Sequence, residues 1–234
     1  MQIGDLEVEV IEKDIKNLHL AVYPPDGRVR LATPKEVNSQ TLELFVISKI
    51  SWIRKQQRKF AEQNRQSPRL YLNRESHYFL GKKYLLRIHE DHPKIRGAKV
   101  QVKTKTYIDL FVRGGASKEQ KERVMKDWYR EELRIALNEL VPKWEKILGV
   151  KTNEFFIKTM KTKWGSCNPK SGNILINLEL AKKPIECIEY IVAHELTHLI
   201  ERTHNANFQA HLDFYLPNWM QIRSELNRLP VGEI

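Results

Sequence analysis

The chain has 234 residues, of which 41% are hydrophobic and 29% charged, and it contains two cysteines. This apolar content excludes a wholly disordered chain, and two thiols are too few for a disulfide-stapled secreted scaffold. The formal net charge of +11 favours an anionic partner such as nucleic acid, although a basic surface on an ordinary enzyme would give the same value. The sequence has no basic-then-apolar leader and no run of about 20 apolar residues, so we predict a cytoplasmic protein without a membrane span.

The first part of the sequence carries strand and helix patterns in turn. Apolar residues alternate with polar ones in three short runs, which predict strands at residues 6–12, 18–22 and 29–31. From Asn38 to about Gln63, apolar residues recur at helical spacing and predict one helix with a basic outer face. Strand patterns return between residues 67 and 113.

A Gly-Gly-Ala-Ser segment that ends at Ser117 is the clearest linker in the sequence. We therefore predict a β-rich domain with one basic helix at residues 1–115 and a second domain at residues 116–234. The second domain opens with a long amphipathic helix that continues to about Leu148. Pro142 is expected to end this helix early or to kink it, because proline has no N–H to donate.

Strand and turn patterns follow the long helix. One strand begins at Phe155, a turn-rich stretch covers residues 164–169, and a returning strand covers residues 173–178. Pro184 then stands where proline commonly opens a helix.

The helix after Pro184 contains the sequence His194-Glu195-Leu196-Thr197-His198, which has HExxH spacing. Residues four apart lie on one face of a helix, so the two imidazoles can reach one zinc ion. Glu195 lies beside them and can take a proton from a water at the metal. The alternative is an exposed charged turn with two histidines, but the surrounding isoleucines and leucines indicate a largely buried helix.

A catalytic zinc usually has three protein ligands and one open position. The candidates for the third ligand after His198 are Glu201, His204, His211 and Asp213. His204 is favoured, but only if the helix ends first, because six residues of continuous helix turn a side chain about 240° away. The polar residues 202–207 include two asparagines and permit such a break. Glu201 is the main alternative, since it lies about one turn past His198.

Longer runs of the sequence resemble the YgjP-like metallopeptidase domain family. The resemblance rests on Trp-Gly-Ser-Cys preceded by Lys163, where arginine is typical, and on a HELTHL helix that begins with Pro184. It also includes Asn177, His204, Phe208 and the segment 216–219. In the N-terminal half it includes the runs PDGRV, WIRKQ and LGKKYLLRI, so that it spans nearly the whole chain.

The resemblance implies an α+β fold in which a zincin-like catalytic domain combines a small sheet with the HExxH helix. It implies one Zn²⁺ per chain held by His194, His198 and His204, with Glu195 as the base and a protein or peptide as the substrate. The zinc helix and the residues just after it are also similar to SprT-like and Wss1-like proteases. Members of the family occur near restriction-modification systems, which suggests the same context here.

Three further residues are candidate cleft or transition-state residues. Tyr190 lies one turn before His194 and could donate to a developing oxyanion, or it could simply pack in the core. Trp164 is expected to build the hairpin that flanks the cleft. Asn173 begins the strand at residues 173–178, whose edge could bind an extended peptide.

We therefore predict a zinc metallopeptidase in which Glu195 activates the water. The alternative is a basic nucleic-acid-associated protein with a structural or vestigial zinc site. Glu195 discriminates between the two, because a structural zinc site has four closed ligands and needs no neighbouring carboxylate. The nucleic-acid footprint would comprise Arg54, Lys55, Arg58, Lys59, Arg65, Lys94, Arg96 and Lys99.

Overall fold

A computed structural model describes residues 1–23, 26–62, 69–93, 95–160 and 162–228. Contacts between residues divide the chain at positions 65 and 66 into an N-terminal and a C-terminal unit, each described by itself. Within the described residues, no helix combines the length and the apolar character that a membrane crossing requires.

The described part of the N-terminal unit forms one sheet and two helices. Its elements are β1 (Gln2–Ile3), β2 (Leu6–Glu12), β3 (His19–Tyr23), β4 (Arg28–Thr33), α1 (Ser39–Ser48) and α2 (Ile50–Glu62). The strand order is β1-β2-β4-β3, with β2 and β4 parallel. Apolar residues that alternate along β2 and β4 face α1 and α2, so Val8, Val29, Leu31, Val46 and Ile53 form one buried cluster.

The predicted basic helix is in fact two helices that meet at Lys49. The hydroxyl of Ser48 donates to the carbonyl of Phe45 at 2.7 Å, and this is the carbonyl that a continuous helix would offer to Lys49. The N–H of Lys49 bonds instead to the carbonyl of Val46 at 2.9 Å. The break therefore has a local cause that a hydrophobic pattern does not reveal.

In its described residues, the C-terminal unit carries two sheets and four α-helices, so the α+β class is confirmed. Its elements are β5 (Ser76–Phe79), β6 (Lys82–Glu90), β7 (Lys99–Gln101), β8 (Tyr107–Val112), α3 (Lys118–Leu148), β9 (Phe155–Lys158), β10 (Gly165–Asn168), β11 (Asn173–Asn177), a 3₁₀ helix (Leu178–Lys182), α4 (Ile185–Thr197), α5 (Ala206–Tyr215) and α6 (Trp219–Arg228). The strand orders are β5-β6-β8-β7 and β10-β11-β9. In the smaller sheet, β11 pairs antiparallel with β10 and parallel with β9.

The division at residues 65 and 66 lies earlier than the predicted boundary at residue 115. Leu86 of β6 and Ile108 of β8 share one buried cluster with Leu137 of α3 and Ile188 of α4. The sheet β5–β8 therefore cannot be separated from the helices without exposing apolar surface to water. Strand composition alone placed this sheet with the N-terminal strands, whereas its packing places it with α3 and α4.

The long helix α3 begins and ends as the sequence predicts but is not ended by its proline. Ser117 and Gln120 form a capping box at its start, and Gly149 follows its last turn with a φ of +66°. Pro142 lies inside the helix and donates no hydrogen bond. Its neighbours Val141 and Trp144 are both buried, and this packing holds the turn together.

Helix α4, which carries the HExxH sequence, is held by one contact on the helix itself and by another contact just before its start. The indole N–H of Trp144 in α3 donates to the carboxylate of Glu189 at 2.9 Å. Gly81, in the turn between β5 and β6, donates its N–H to the carbonyl of Lys182 at 3.2 Å. Gly81 has a φ of +78°, and a Cβ there would lie 2.7 Å from Cγ of Pro184, so this close approach requires glycine.

Candidate metal centre

Helix α4 ends directly after the HExxH sequence. Its last residue is Thr197, and the N–H groups of Leu199 and Ile200 bond three residues back to Leu196 and Thr197. This tightened turn stops the helix, and α5 then begins behind Asn205, whose side chain accepts from the N–H of Phe208 at 3.0 Å. The break required for a third histidine ligand is therefore present.

The break brings His204 back to the two histidines of α4. One ring nitrogen from each of His194, His198 and His204 lies within 4.8 Å of the other two. The Nε2 atoms of His194 and His204 are 2.9 Å apart. Phe208 contacts all three imidazoles, with ring centroids 4.7–4.9 Å away, and forms one apolar wall.

Two of the three histidines favour the neutral form that binds a cation. Burial lowers the pKa of His194 to about 3, and its neighbours His198, His204 and Arg223 lower it further. The pKa of His204 is lowered too, first by burial and then by His198 and Arg223. Neutral imidazoles offer lone pairs, and two lone pairs only 2.9 Å apart repel unless a proton or a cation lies between them.

The orientation of His198 is set by the tightened turn. Its Nδ1 donates to the backbone carbonyl of Glu201 at 3.1 Å, which leaves Nε2 as the free nitrogen. Metal-binding histidines commonly carry such a hydrogen bond on the opposite nitrogen. The Nδ1 of His194 is buried and has no hydrogen-bond partner among the described residues. The residues present therefore fit a divalent cation held by three imidazoles.

The other candidate ligands are used elsewhere. The carboxylate of Glu201 accepts from the N–H and hydroxyl of Thr203, both at 3.4 Å. His211 stacks on Tyr215, with ring centroids 6.4 Å apart, and Asp213 accepts from the indole of Trp219 at 2.7 Å. Within the described part of the chain, the candidate metal cluster comprises only the three histidines.

Glu195 is enclosed beside the histidines. It is 5% exposed, and burial raises the pKa of its carboxyl to about 8, an effect that Lys163 opposes. A cation held by the neighbouring imidazoles would favour the ionised carboxylate. Gly165, the first residue of β10, packs against the side chain of Glu195 and forms the wall opposite the helix.

The strand edge beside Glu195 is not the predicted one. The expectation that residues 173–178 offer an edge to a peptide is wrong, because β11 is the central strand and pairs on both sides. In the described residues, β10 is an edge strand, and its first residue, Gly165, packs against the side chain of Glu195. The order of the strands in this sheet cannot be predicted from strand patterns, because β9, which precedes the hairpin of β10 and β11 in the chain, pairs with β11.

The structure places the three weaker candidates at different parts of the fold, and only Tyr190 has a described contact with one of the three histidines. The ring of Tyr190 is 5.8 Å from that of His194 and stacks on Trp219, and Tyr190 is only 4% exposed. Trp164 is half-buried at the start of the hairpin and carries the ammonium group of Lys183 5.4 Å above its ring. Asn173 is not brought to the site: it pairs with Asn168 at the far end of the hairpin, and its side chain accepts from Asn153 at 2.9 Å.

Asn177 is a residue whose role the sequence analysis missed. Its side-chain amide donates to the carbonyls of Met160 at 2.8 Å and Lys163 at 2.7 Å. Its side-chain oxygen accepts from the N–H groups of Met160 at 3.3 Å and Glu179 at 3.2 Å. Asn177 thus fixes the segment that leads into Trp164 and β10. A buried asparagine at a strand end was the available signal, but its partners became clear only in the fold.

Replacing Asn177 with aspartate is expected to destabilise the protein by about 3 kcal/mol, because two carbonyls would then face a buried carboxylate instead of two donors. Chemical denaturation of both proteins measures this difference. Asn173→Asp on the same strand is the matched control and should cost less than about 1 kcal/mol, since its oxygen acts only as an acceptor. Equal losses in the two variants would contradict the proposed clamp.

The described part of the predicted nucleic-acid footprint is only partly available to a partner. Arg65 and Lys94 lie outside the described residues. Arg54 forms an ion pair with Asp5 and donates to Gln57 at 3.2 Å, so it is already engaged within the chain. Nucleic-acid binding stays a prediction.

Three imidazoles thus converge beside a buried glutamate in an α+β fold. The chain belongs to the YgjP-like family, because the family profile described as "YgjP-like, metallopeptidase domain" matches residues 16–229. The resemblance seen in the sequence is thereby confirmed. No curated protein matches the chain.

Two solved structures are similar to part of the chain. The metallopeptidase zymogen of Pyrococcus abyssi abylysin has 24% sequence identity and a TM-score of 0.36, and the match covers 41% of this chain and 99% of that one. The metallopeptidase zymogen of Methanocaldococcus jannaschii jannalysin has 23% identity and a TM-score of 0.36, and the match covers 38% of this chain and 86% of that one.

Proposed function

We propose that this metallopeptidase is a zinc enzyme of the HExxH type that hydrolyses peptide bonds in proteins or peptides. His194, His198 and His204 would hold one zinc ion per chain, and Glu195 would act as the general base. The observation that carries the proposal is the convergence of three imidazole nitrogens within 4.8 Å of one another, beside a buried carboxylate on the helix that carries the first of them.

The donor set supports zinc. Three neutral imidazoles suit zinc, and three protein ligands leave a fourth position open for catalysis. When bound, zinc would act as a Lewis acid that makes water more acidic and polarises a peptide carbonyl. A structural zinc site would need a fourth protein ligand, and the cluster in the described residues has three.

Glu195 would move the proton during hydrolysis. Its carboxylate would accept a proton from the attacking water and then deliver it to the nitrogen of the leaving amine. Its burial shields the carboxylate from bulk water, which strengthens electrostatic interactions in the site. The carbonyl of Glu201 keeps His198 in one tautomer, so this ring stays oriented while the proton moves.

The substrate would bind as an extended chain along the outer edge of β10. An edge strand offers backbone donors and acceptors to an added strand, and the first residue of this strand, Gly165, packs against Glu195. Tyr190 would support the developing oxyanion, because its ring lies 5.8 Å from that of His194. Trp164 would flank the bound peptide at the start of the hairpin.

Removal of the metal tests the proposal directly. Purified protein should contain one zinc ion per chain and should cleave an unfolded protein such as reduced casein. A chelator should abolish cleavage, and added zinc should restore it, because hydrolysis needs the Lewis acid. Metal analysis and gel-based cleavage assays measure both. Cleavage that survives complete removal of the metal, or zinc-loaded protein that cuts no peptide, would contradict the proposal.

The nucleic-acid alternative, a cytoplasmic location and a restriction-modification context remain predictions from composition and resemblance. A zinc site that only stabilises a binding protein needs no buried carboxylate beside its ligands. Glu195 in that position therefore supports the peptidase over the alternative.

A further inference from the structure

The backbone conformation at position 165 does not require glycine. It is the first residue of β10, and its φ lies outside the left-handed region that favours glycine. Glycine weakens a strand, since it adds conformational entropy to the unfolded chain and gives no side chain to pack. Something other than backbone geometry must therefore explain a glycine at this place.

The space in front of Gly165 is filled by Glu195. A Cβ built on Gly165 would lie 2.5 Å from Oε1, 2.7 Å from Cγ and 2.9 Å from Cδ of Glu195. These three nearest atoms all belong to the side chain of Glu195, and none belongs to the backbone. Any larger residue at position 165 would thus have to displace the carboxylate that is proposed as the general base.

The carboxylate has little room to move away. Glu195 is 5% exposed, and its neighbours Ala193 and Leu196 on α4 are fully buried, so the helix cannot shift without disturbing the core. A side chain enclosed in this way responds to an intruding methyl group with an altered rotamer or a displaced head group.

The strand cannot move away either. Gly165 pairs with Ile176, which is fully buried in the central strand β11. Just before β10, the N–H of Asn177 donates to the carbonyl of Trp164 at 2.9 Å, and its side chain holds the carbonyl of Lys163. Both ends of the contact between Gly165 and Glu195 are therefore anchored.

We infer that Gly165 is a positioning residue: its missing side chain creates the space that holds the Glu195 carboxylate beside the three histidines, and Asn177 keeps that space constant. The role of Gly165 rests on the proposed role of Glu195 as the base. The steric coupling between the two residues, in contrast, exists whether or not the protein cleaves peptides, and can be measured separately.

Gly165→Ala should lower kcat about 100-fold, because a displacement of the base by about 1 Å has an effect of this size. Zinc content should stay at one ion per chain, and KM should change by less than about threefold, since the ligands are unaltered and alanine keeps the backbone donor and acceptor of the edge strand. A merely structural role for Gly165 would instead leave the kcat of the folded, zinc-loaded fraction unchanged.

A double-mutant cycle on thermal unfolding of the zinc-loaded protein tests the coupling without any assay of cleavage. Gly165→Ala should lower the unfolding midpoint by about 3–10 °C in the wild-type background. In the Glu195→Ala background the same change should lower it by less than about 2 °C, because the clashing atoms are gone. If Gly165→Ala does not fold alone, folding of the double variant supports the coupling, and its failure to fold overturns the coupling.

Gly114 provides a matched control. It also has a φ outside the left-handed region, and a side chain there would collide with the carboxylate of Asp91. Gly114→Ala should lower the unfolding midpoint equally in both backgrounds and leave kcat unchanged. Equal midpoint losses for Gly165→Ala in both backgrounds, or an unchanged kcat, would overturn the inference. Absence of cleavage by the wild-type protein would instead overturn the proposed function and leave the unfolding cycle to decide the coupling.

Discussion

Replacement of Glu195 with glutamine is expected to lower peptide cleavage by roughly 10²–10⁴-fold, the usual contribution of a general acid–base group. Glutamine has nearly the same shape as glutamate, so it should fit the space beside Gly165, which a side chain at position 165 would fill. Its amide cannot take a proton from water. Cleavage of a fluorogenic peptide, measured over time with equal amounts of zinc-loaded protein, gives the ratio.

The same variant should keep its metal and its fold, because Glu195 lies outside the cluster of nitrogen atoms that would bind the ion. Zinc analysis and the unfolding midpoint check both. Glu186→Gln, an exposed change in the first turn of the same helix, is the matched control and should cleave like the wild type. A Glu195→Gln protein that cuts at the wild-type rate would rule out this residue as the base.

Replacement of His204 with alanine is expected to weaken zinc binding by more than about 100-fold. Loss of a residue that only supports a ligand costs about 10–100-fold in affinity, so loss of a ligand should cost more. The Nε2 of His204 lies 2.9 Å from that of His194, and its removal would leave two imidazoles to hold the ion. Competition with a chromophoric chelator measures the change.

Two variants control for this result. Glu201→Ala should retain zinc, because the contact of Glu201 with His198 uses its backbone carbonyl, which alanine also provides. His211→Ala removes a histidine of α5 that stacks on Tyr215 and should likewise retain zinc. Similar zinc loss in His204→Ala and Glu201→Ala, or none in either, would be inconsistent with the three-histidine assignment.

Much of the candidate site follows from short stretches of sequence. The spacing of His194 and His198 places both rings on one helix face, since the helical period is a local property of the backbone. The polar residues after His198 predicted the helix break that His204 requires, and Asn205 caps the next helix. A returning strand from Asn173 was also predicted, but its partner was not: residues 165–168, which were interpreted as part of a turn-rich stretch, form β10 and pair with β11.

Other features depend on particular contacts that a hydrophobic pattern does not show, and most of these contacts join distant residues. The break at Lys49 depends on which carbonyl the hydroxyl of Ser48 selects. The sheet β5–β8 packs with α3 because Leu86 and Leu137 lie in the same buried cluster, although neither local sequence indicates which element it will pack against. The order of the smaller sheet, in which β9 pairs with β11, likewise arises from a parallel pairing of strands that are not neighbours in the chain.

The sequence by itself determined the chemistry of this protein: the residue types, the helical spacing of its first two histidines and a signal for the turn that brings in the third. These depend on backbone periodicity and capping, which act over four to seven residues. The tertiary structure alone decided the surroundings of that chemistry. Gly165, thirty positions away in the sequence, leaves the space for Glu195, and Asn177 holds the segment before Gly165 in place. Close packing brings these residues together, and their separation along the chain does not predict that they will be in contact.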